Sequence, residues 1–152
     1  MPTKPSDIAA QLVTTIEAID LTGRMASPRD VFRGRVGIDP PAGNGDRLFA
    51  VMAAGSQRSQ LLCQNQYDME LDVSVYYRFA DGRSDLFTRI MDDQHEITKA
   101  VMLSGGFHGA TNPAIIDVVI SDPTPPAEVG EGLIVSSRTV SVRFDDTLAV
   151  GV

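Results

Sequence analysis

The chain has 152 residues, a formal net charge of −7, and 43% apolar against 22% charged residues. That length fits one domain able to bury about two thirds of the surface its unfolded chain exposes, so stability requires neither disulfides nor metals. Two lysines and eleven arginines, scattered along an acidic chain, exclude the clustered basic footprint of a protein that grips nucleic-acid phosphates. The lone cysteine, Cys63, excludes an intramolecular disulfide and fits a reducing compartment. Residues 1–7 lack the basic start and apolar run of a signal peptide. No stretch approaches the ~20 apolar residues of a membrane span, so no membrane partner is expected.

In chain order, Ile8, Leu12, Ile16 and Ile19 recur at helical spacing behind Ser6 and Asp7, which predicts a helix over 6–21 with Gly23 as its stop. Residues 22–46 are less regular. Val31 to Ile38 alternates weakly, with Phe32, Val36 and Ile38 on one side and Arg33 and Arg35 on the other, and reads as a short edge strand. Pro40, Pro41, Gly43, Asn44 and Gly45 give a strong turn signal. Arg47 to Ala54 reads as a second strand, and 55–68, with Gln57, Arg58, Gln60, Gln64 and Gln66, as an extended polar loop.

Met69 to Phe79 alternates most cleanly, with Leu71, Val73, Val75 and Tyr77 opposite Glu70, Asp72, Ser74 and Tyr76. A period of two over this length implies one buried face and favours antiparallel pairing. Ser84 and Asp85 then open a long amphipathic helix with a stripe of Leu86, Ile90, Ile97 and Val101, ended by Ser104, Gly105 and Gly106. Ala114 to Ser121 predicts a strand. Five Pro and Gly residues in 122–132 predict a connection outside the ladder. Leu133 to Asp145 predicts the last strand, with a bulge or rim position expected where Ser136 and Arg138 interrupt the apolar parity. Residues 146–152 read as a loose tail. The order predicts one α+β domain over 1–152: an antiparallel or mixed sheet of four to five strands with two helices packed on one face.

Each chemical motif has a plainer structural explanation. Asp92, His95 and Glu96 share a helical face, but Lys99 stands where a zinc-protease helix needs its second His, so a solvated face with a Glu96–Lys99 pair is the better reading. The run Gly105-Gly106-Phe107-His108-Gly109 follows a helix, whereas phosphate loops precede one. His108 lacks a partner at a known spacing, and Cys63 lies in no family signature. Catalytic, metal-ligating and cofactor-binding residues are therefore assigned as none, and no cofactor is implied.

Three pieces of the chain together resemble the tail terminator (tail completion) proteins of long-tailed bacteriophages, over roughly 6–145. They are the opening helix from Ile8 to Ile19, the strand-to-helix run Leu71–Phe79 and Asp85–Ile90, and the closing pair Ile115–Ile120 and Val140–Phe144 joined by a Pro/Gly/acid-rich connector. Residues 22–66 are longer and more irregular than the family pattern. The resemblance implies a structural virion protein, not an enzyme. It would be assembled in the host cytoplasm and sit at the head-proximal end of the tail. Six copies would form a ring that caps the tail tube, ends its polymerisation and docks to a head-completion or neck protein. DNA would pass through the lumen without specific binding. The candidate subunit-interface residues are Arg33, Arg35, Gln57, Arg58, Gln60, Gln64 and Gln66. Two alternatives stand beside this: another head–tail joining or neck component, and a small-molecule enzyme or ligand-binding domain that uses His95 or His108 in a cleft.

Overall fold

Alternation in the two longest strands sets the architecture. In the computed structural model, β3 (Gln66–Arg78) and β6 (Leu133–Asp145) pair antiparallel in unbroken register, from Gln66 opposite Asp145 to Arg78 opposite Leu133. Met69, Leu71, Val73, Val75 and Tyr77 of β3 are buried on one face with Ile134, Val140, Val142 and Phe144 of β6. The structure describes residues 5–21, 31–41, 47–58, 66–78, 86–102, 107, 115–130 and 132–145; the side chains of Pro5, 54–58, Gln66, Tyr67, Ile116 and Asp145 are excepted.

Around this pair the chain builds a mixed, six-stranded sheet. The order is β1 (Phe32–Val36), β2 (Arg47–Arg58), β3, β6, β4 (Ile115–Ile120), and the two-residue β5 (Ala127–Glu128) also pairs with β6. β1 runs parallel to β2, and every other pair is antiparallel. The α+β class with a mixed sheet is as expected; the extra strand is β5, inside the predicted connection.

Two helices close one face. α1 (Pro5–Glu17) lies over β1 and β2, α2 (Leu86–Met102) packs toward β6 and β4, and the two helices touch. Proline is tolerated in a helix's first turn because its missing N–H is an orphan there, so α1 begins before Ser6. α1 also ends four residues earlier than predicted. Ile19 N–H donates to the Ile16 carbonyl, a tightened last turn, and the chain leaves with Leu21 still buried. Ile8, Leu12 and Ile16 are fully buried, each worth ~1.5–3 kcal/mol against exposure.

Three further expectations are corrected. Residues 55–58 and 66–68 are not loop but the far arms of the β2–β3 hairpin, with Gly55 opposite Glu70 and Arg58 opposite Tyr67. A bulge at Ala53/Gly55 carries β2 onward. The polar side chains misled because a ribbon is held by backbone hydrogen bonds, which ask nothing of composition. Ser136 and Arg138 mark neither bulge nor rim: both are buried in regular register, on the same face as Val140. The 121–126 connection, although Pro-rich, stays alongside β6: Ser121 N–H donates to the Thr139 carbonyl and Thr124 N–H to that of Ser137. Val36 shares the Phe32 side of β1, as expected, but is exposed, and Ile38 lies beyond the end of the strand.

Both edges of the sheet are blunted. Parity along β1 and β4 turns the N–H groups of Gly34 and Val118 away from the neighbouring strand. Glu17 Oε2 takes the first at 3.4 Å and Asp117 Oδ1 the second at 3.0 Å. Carboxylates on outward N–H groups discourage addition of another strand.

Gly34 is where β1 meets the core most tightly, because a Cβ there would fall within the Phe49 ring. That ring stands edge-on to Phe32, with centroids 6.3 Å apart. Gly34→Ala should therefore destabilise by about 1–3 kcal/mol through overpacking, and Phe49→Leu in the same chain should recover part of the loss. Urea midpoints of the single and double variants measure both.

Candidate interaction surfaces

The polar side chains fall into three places: a sealed cluster beneath α2, a second cluster that floors a groove at its outer flank, and the open face of the sheet.

The first cluster is sealed. Asp93 accepts from Arg47 Nε at 2.8 Å and from the Tyr77 hydroxyl at 3.0 Å, and all three side chains are buried. The Arg47 guanidinium also lies 5.8 Å from the Phe32 ring centroid. Burial pushes the Asp93 carboxyl above its ordinary value, opposed by Arg47 and by the Tyr77 hydrogen bond. Burial, then the Asp93 charge beside it, pushes the Tyr77 phenol well above its usual value. With no access to solvent, this cluster locks α2 onto β2 and β3 and offers no reactive centre.

The second cluster explains Ser136 and Arg138. Gln94 Nε2 donates to Ser136 Oγ at 2.9 Å. Arg138 donates to the Ser121 carbonyl from Nε at 2.9 Å and Nη2 at 2.7 Å, to the Gln94 carbonyl at 2.9 Å, and to Thr98 Oγ1. One guanidinium thus ties β6, α2 and the segment after β4 together. Its five donors suit that task, as a lysine's ammonium would not.

Above this cluster, a groove of about 250 Å³ separates α2 from residues 123–126, with Met91, His95, Thr98, Pro123 and Pro126 among its walls. It is smaller than an ordinary ligand pocket of roughly 300–1,000 Å³. His95 stands exposed at its rim, and among the described residues no carboxylate lines it. Lys99 Nζ meets Glu96 at 3.2 Å, as the solvated-face reading expected. Among the described residues, no three His, Cys, Asp or Glu come together to hold a metal ion. Among them too, no helix is long and apolar enough to cross a membrane.

No helix among the described residues covers the open face. It is laid out in cross-strand rows fixed by register: Ser74 beside Ser137, Asp72 beside Thr139, and Arg143 between Asp68 and Asp117. Ser74 and Ser137 hydroxyls share a hydrogen bond of 2.9 Å, Thr139 donates to Asp72 at 3.1 Å, and Arg143 Nε donates to Asp68 at 2.8 Å. A shallow hollow of about 410 Å³ crosses it, with Ala50, Met52, Ser74, Tyr76 and Thr139 in its floor and walls. The face is broad and largely polar, with three of its cross-strand rows hydrogen-bonded.

The candidate interface residues distribute unevenly. Arg33 and Arg35 are exposed on β1, in the rows of Leu48 and Ala50, hence on the open face. Gln57, Arg58 and Gln66 lie on the far arms of the β2–β3 ribbon. Gln60, Gln64, Cys63 and His108 lie outside the described residues. Asp93, Gln94, Ser136 and Arg138 went unread as a set. The available signal was that polar residues occupy core-facing positions on two elements at once, which only mutual pairing can satisfy.

Two measurements check the sealed cluster. Asp93→Ala should cost roughly 3–5 kcal/mol, because it strands the buried Arg47 charge. The double change Arg47→Met with Asp93→Leu should cost much less than the two single changes added, as a double-mutant cycle by denaturant titration would read. Tyr77 sets an alkaline limit. Its folded pKa lies above its unfolded value of about 10, so above that pH the unfolded chain releases a proton the folded chain retains, and stability falls. Tyr77→Phe should flatten this decline in denaturation midpoints across the alkaline range. No protein-family model matches this chain, and no curated protein matches it in sequence.

Proposed function

We propose that this chain is a structural subunit of a tailed virion, repeated as a ring that caps the tail tube, stops its growth and docks it to the head or neck. The observation that carries the reading is the one-sided architecture. Both helices seal one face of a long sheet, and the other face stays broad, polar and, among the described residues, without a covering helix. Such a layer is suited to contact over area, since its side chains already satisfy one another and lose little on meeting a flat partner. The strand-to-helix run and the closing strand pair that carry the resemblance to tail terminator proteins are β3 with α2 and β4 with β6.

In this role the fold is the working part. A ring needs a head-to-tail contact whose rotation returns to its start, and a rigid sheet keeps that angle constant from copy to copy. A net charge of −7 per copy repels DNA phosphates from the lumen and lets DNA slide through without being held. The far arms of the β2–β3 ribbon, with Gln57, Arg58 and Gln66, run beyond the end of β1 and are the candidate surface for the tail tube or the neck protein.

The experiment is assembly. Tail tubes of the cognate particle grown with the purified chain should stop at a uniform length and carry a six-fold ring at one end in electron micrographs. Tubes grown without it should run long. The double change His95→Ala with His108→Ala should leave capping unchanged. A chain that stays monomeric on tubes, or tubes whose length ignores it, refutes the proposal. Binding to heads without any effect on tube length points instead to a neck component.

A further inference from the structure

Among the described residues, eight large apolar side chains are exposed, and they lie at two ends of the molecule. Val36, Ile38 and Met52 lie on or beside β1, with Ile38 the most exposed at 75%. The others lie at the opposite end. Phe87, Met91 and Met102 recur at spacings of four and eleven, so they share one flank of α2. That flank borders the groove facing the Pro123–Pro126 segment, Val129 follows this segment, and Val119 lies on edge strand β4. β1 and β4 are the two edges of the sheet, so the patches lie toward opposite edges, with the open-face hollow reaching from Ile38 and Met52 on one side to Ser121 and Thr124 on the other.

The charges differ in the same sense. Arg33 and Arg35 stand exposed beside the first patch, and neither makes an ion pair among the described residues. Around the second, Asp122 and Glu128 are exposed on the segment that walls the groove, and Asp92 is exposed on α2. Charges of opposite sign stand on both sides as well. Asp39 lies next to Ile38, Asp72 lies opposite Met52 and Glu17 holds the Gly34 N–H. Arg138 lies in the groove within reach of the Asp122 charge, Lys99 is paired with Glu96, and His95 sits at the groove rim. The exposed charges outermost on each side are Arg33 with Arg35 and Asp122 with Glu128.

We infer that the Arg33/Arg35/Ile38 edge of one copy docks against the α2 flank and acidic Pro-rich segment of the next. A second copy is the occupant the surfaces favour, because the exposed Arg33 and Arg35 of one patch are opposite in sign to the exposed Asp122 and Glu128 of the other and both patches carry exposed apolar side chains. A two-fold contact would bring like charge onto like and leave one apolar patch bare. A head-to-tail contact covers both on every copy. The carboxylates on the Gly34 and Val118 N–H groups keep this contact between side chains and prevent one sheet from continuing into the next. The inference deepens the ring reading and rests on it for closure and copy number, but not for which surfaces meet.

The test uses the full chain in two charge-reversed forms, Arg33→Glu with Arg35→Glu and Asp122→Lys with Glu128→Lys, alone and mixed in equal amounts. Sedimentation velocity over a concentration series reads association, and circular dichroism confirms that each variant folds. The unaltered chain should associate, and each variant alone should associate at least about tenfold more weakly, since its two docking surfaces then carry like charge. The mixture should regain the affinity, because each altered surface finds an opposite charge on the other variant. Association that neither variant weakens, a mixture that fails to recover, or an unaltered chain that remains monomeric at every concentration overturns the inference. Rings that persist through both reversals overturn it while leaving the ring reading in place. Recovery into open filaments instead of closed rings keeps the contact and removes the ring.

Discussion

The thirteen-residue strands β3 and β6 must bury one face completely, and that requirement governs the rest of the molecule. Because side chains alternate strictly along a strand, the burial cannot skip a position. Where the inward row carries Ser136 and Arg138, the helix above must answer with Gln94, Thr98 and its own carbonyl oxygens. Where β2 turns Arg47 inward, α2 answers with Asp93, held also by Tyr77. An apolar helix in the same place would leave these groups unpaired at about 1–3 kcal/mol each, more for the charges. Buried polar pairs add little net stability but forbid other registers, so α2 has one seat on the sheet.

With one face sealed, function is left to the outside. The open face holds matched pairs of hydroxyls and charges in register rows, and the apolar residues that escape burial collect at the two edges. A small acidic protein gains nothing for its own stability from exposed Ile38, Phe87 or Met91, which are the residues the proposed contact would cover. The blunted strand edges fit the same picture. In the proposed ring, partners would meet the side-chain surface and would not extend the sheet.

The legible part of the fold was whatever periodicity alone controls. Ile8, Leu12 and Ile16, Leu71 to Tyr77, and Leu86 to Val101 each declared an element and its buried face, because one side of each element meets the core and the repeat length names the element. Gln57, Arg58 and Gln66 hid theirs, since a ribbon's ladder depends on backbone groups common to every residue. The short β5 hid among prolines for the same reason. Arg33 and Arg35 were readable as an exposed pair on an edge strand. The flank of Phe87, Met91 and Met102 was not readable as a surface, because only the packing of α2 shows which of its apolar residues remain outside.

The sequence by itself determined the class: an acidic α+β chain, a sheet with one buried face, two amphipathic helices and no motif for chemistry. Those properties follow from local pattern and composition, which the chain carries wherever it goes. Tertiary structure decided that β1 runs parallel to β2, that Arg47 finds Asp93 and Arg138 finds the Ser121 carbonyl, and that Phe87, Met91 and Met102 remain outside. Each of these joins residues distant along the chain, and such pairings exist only once the backbone has closed around them.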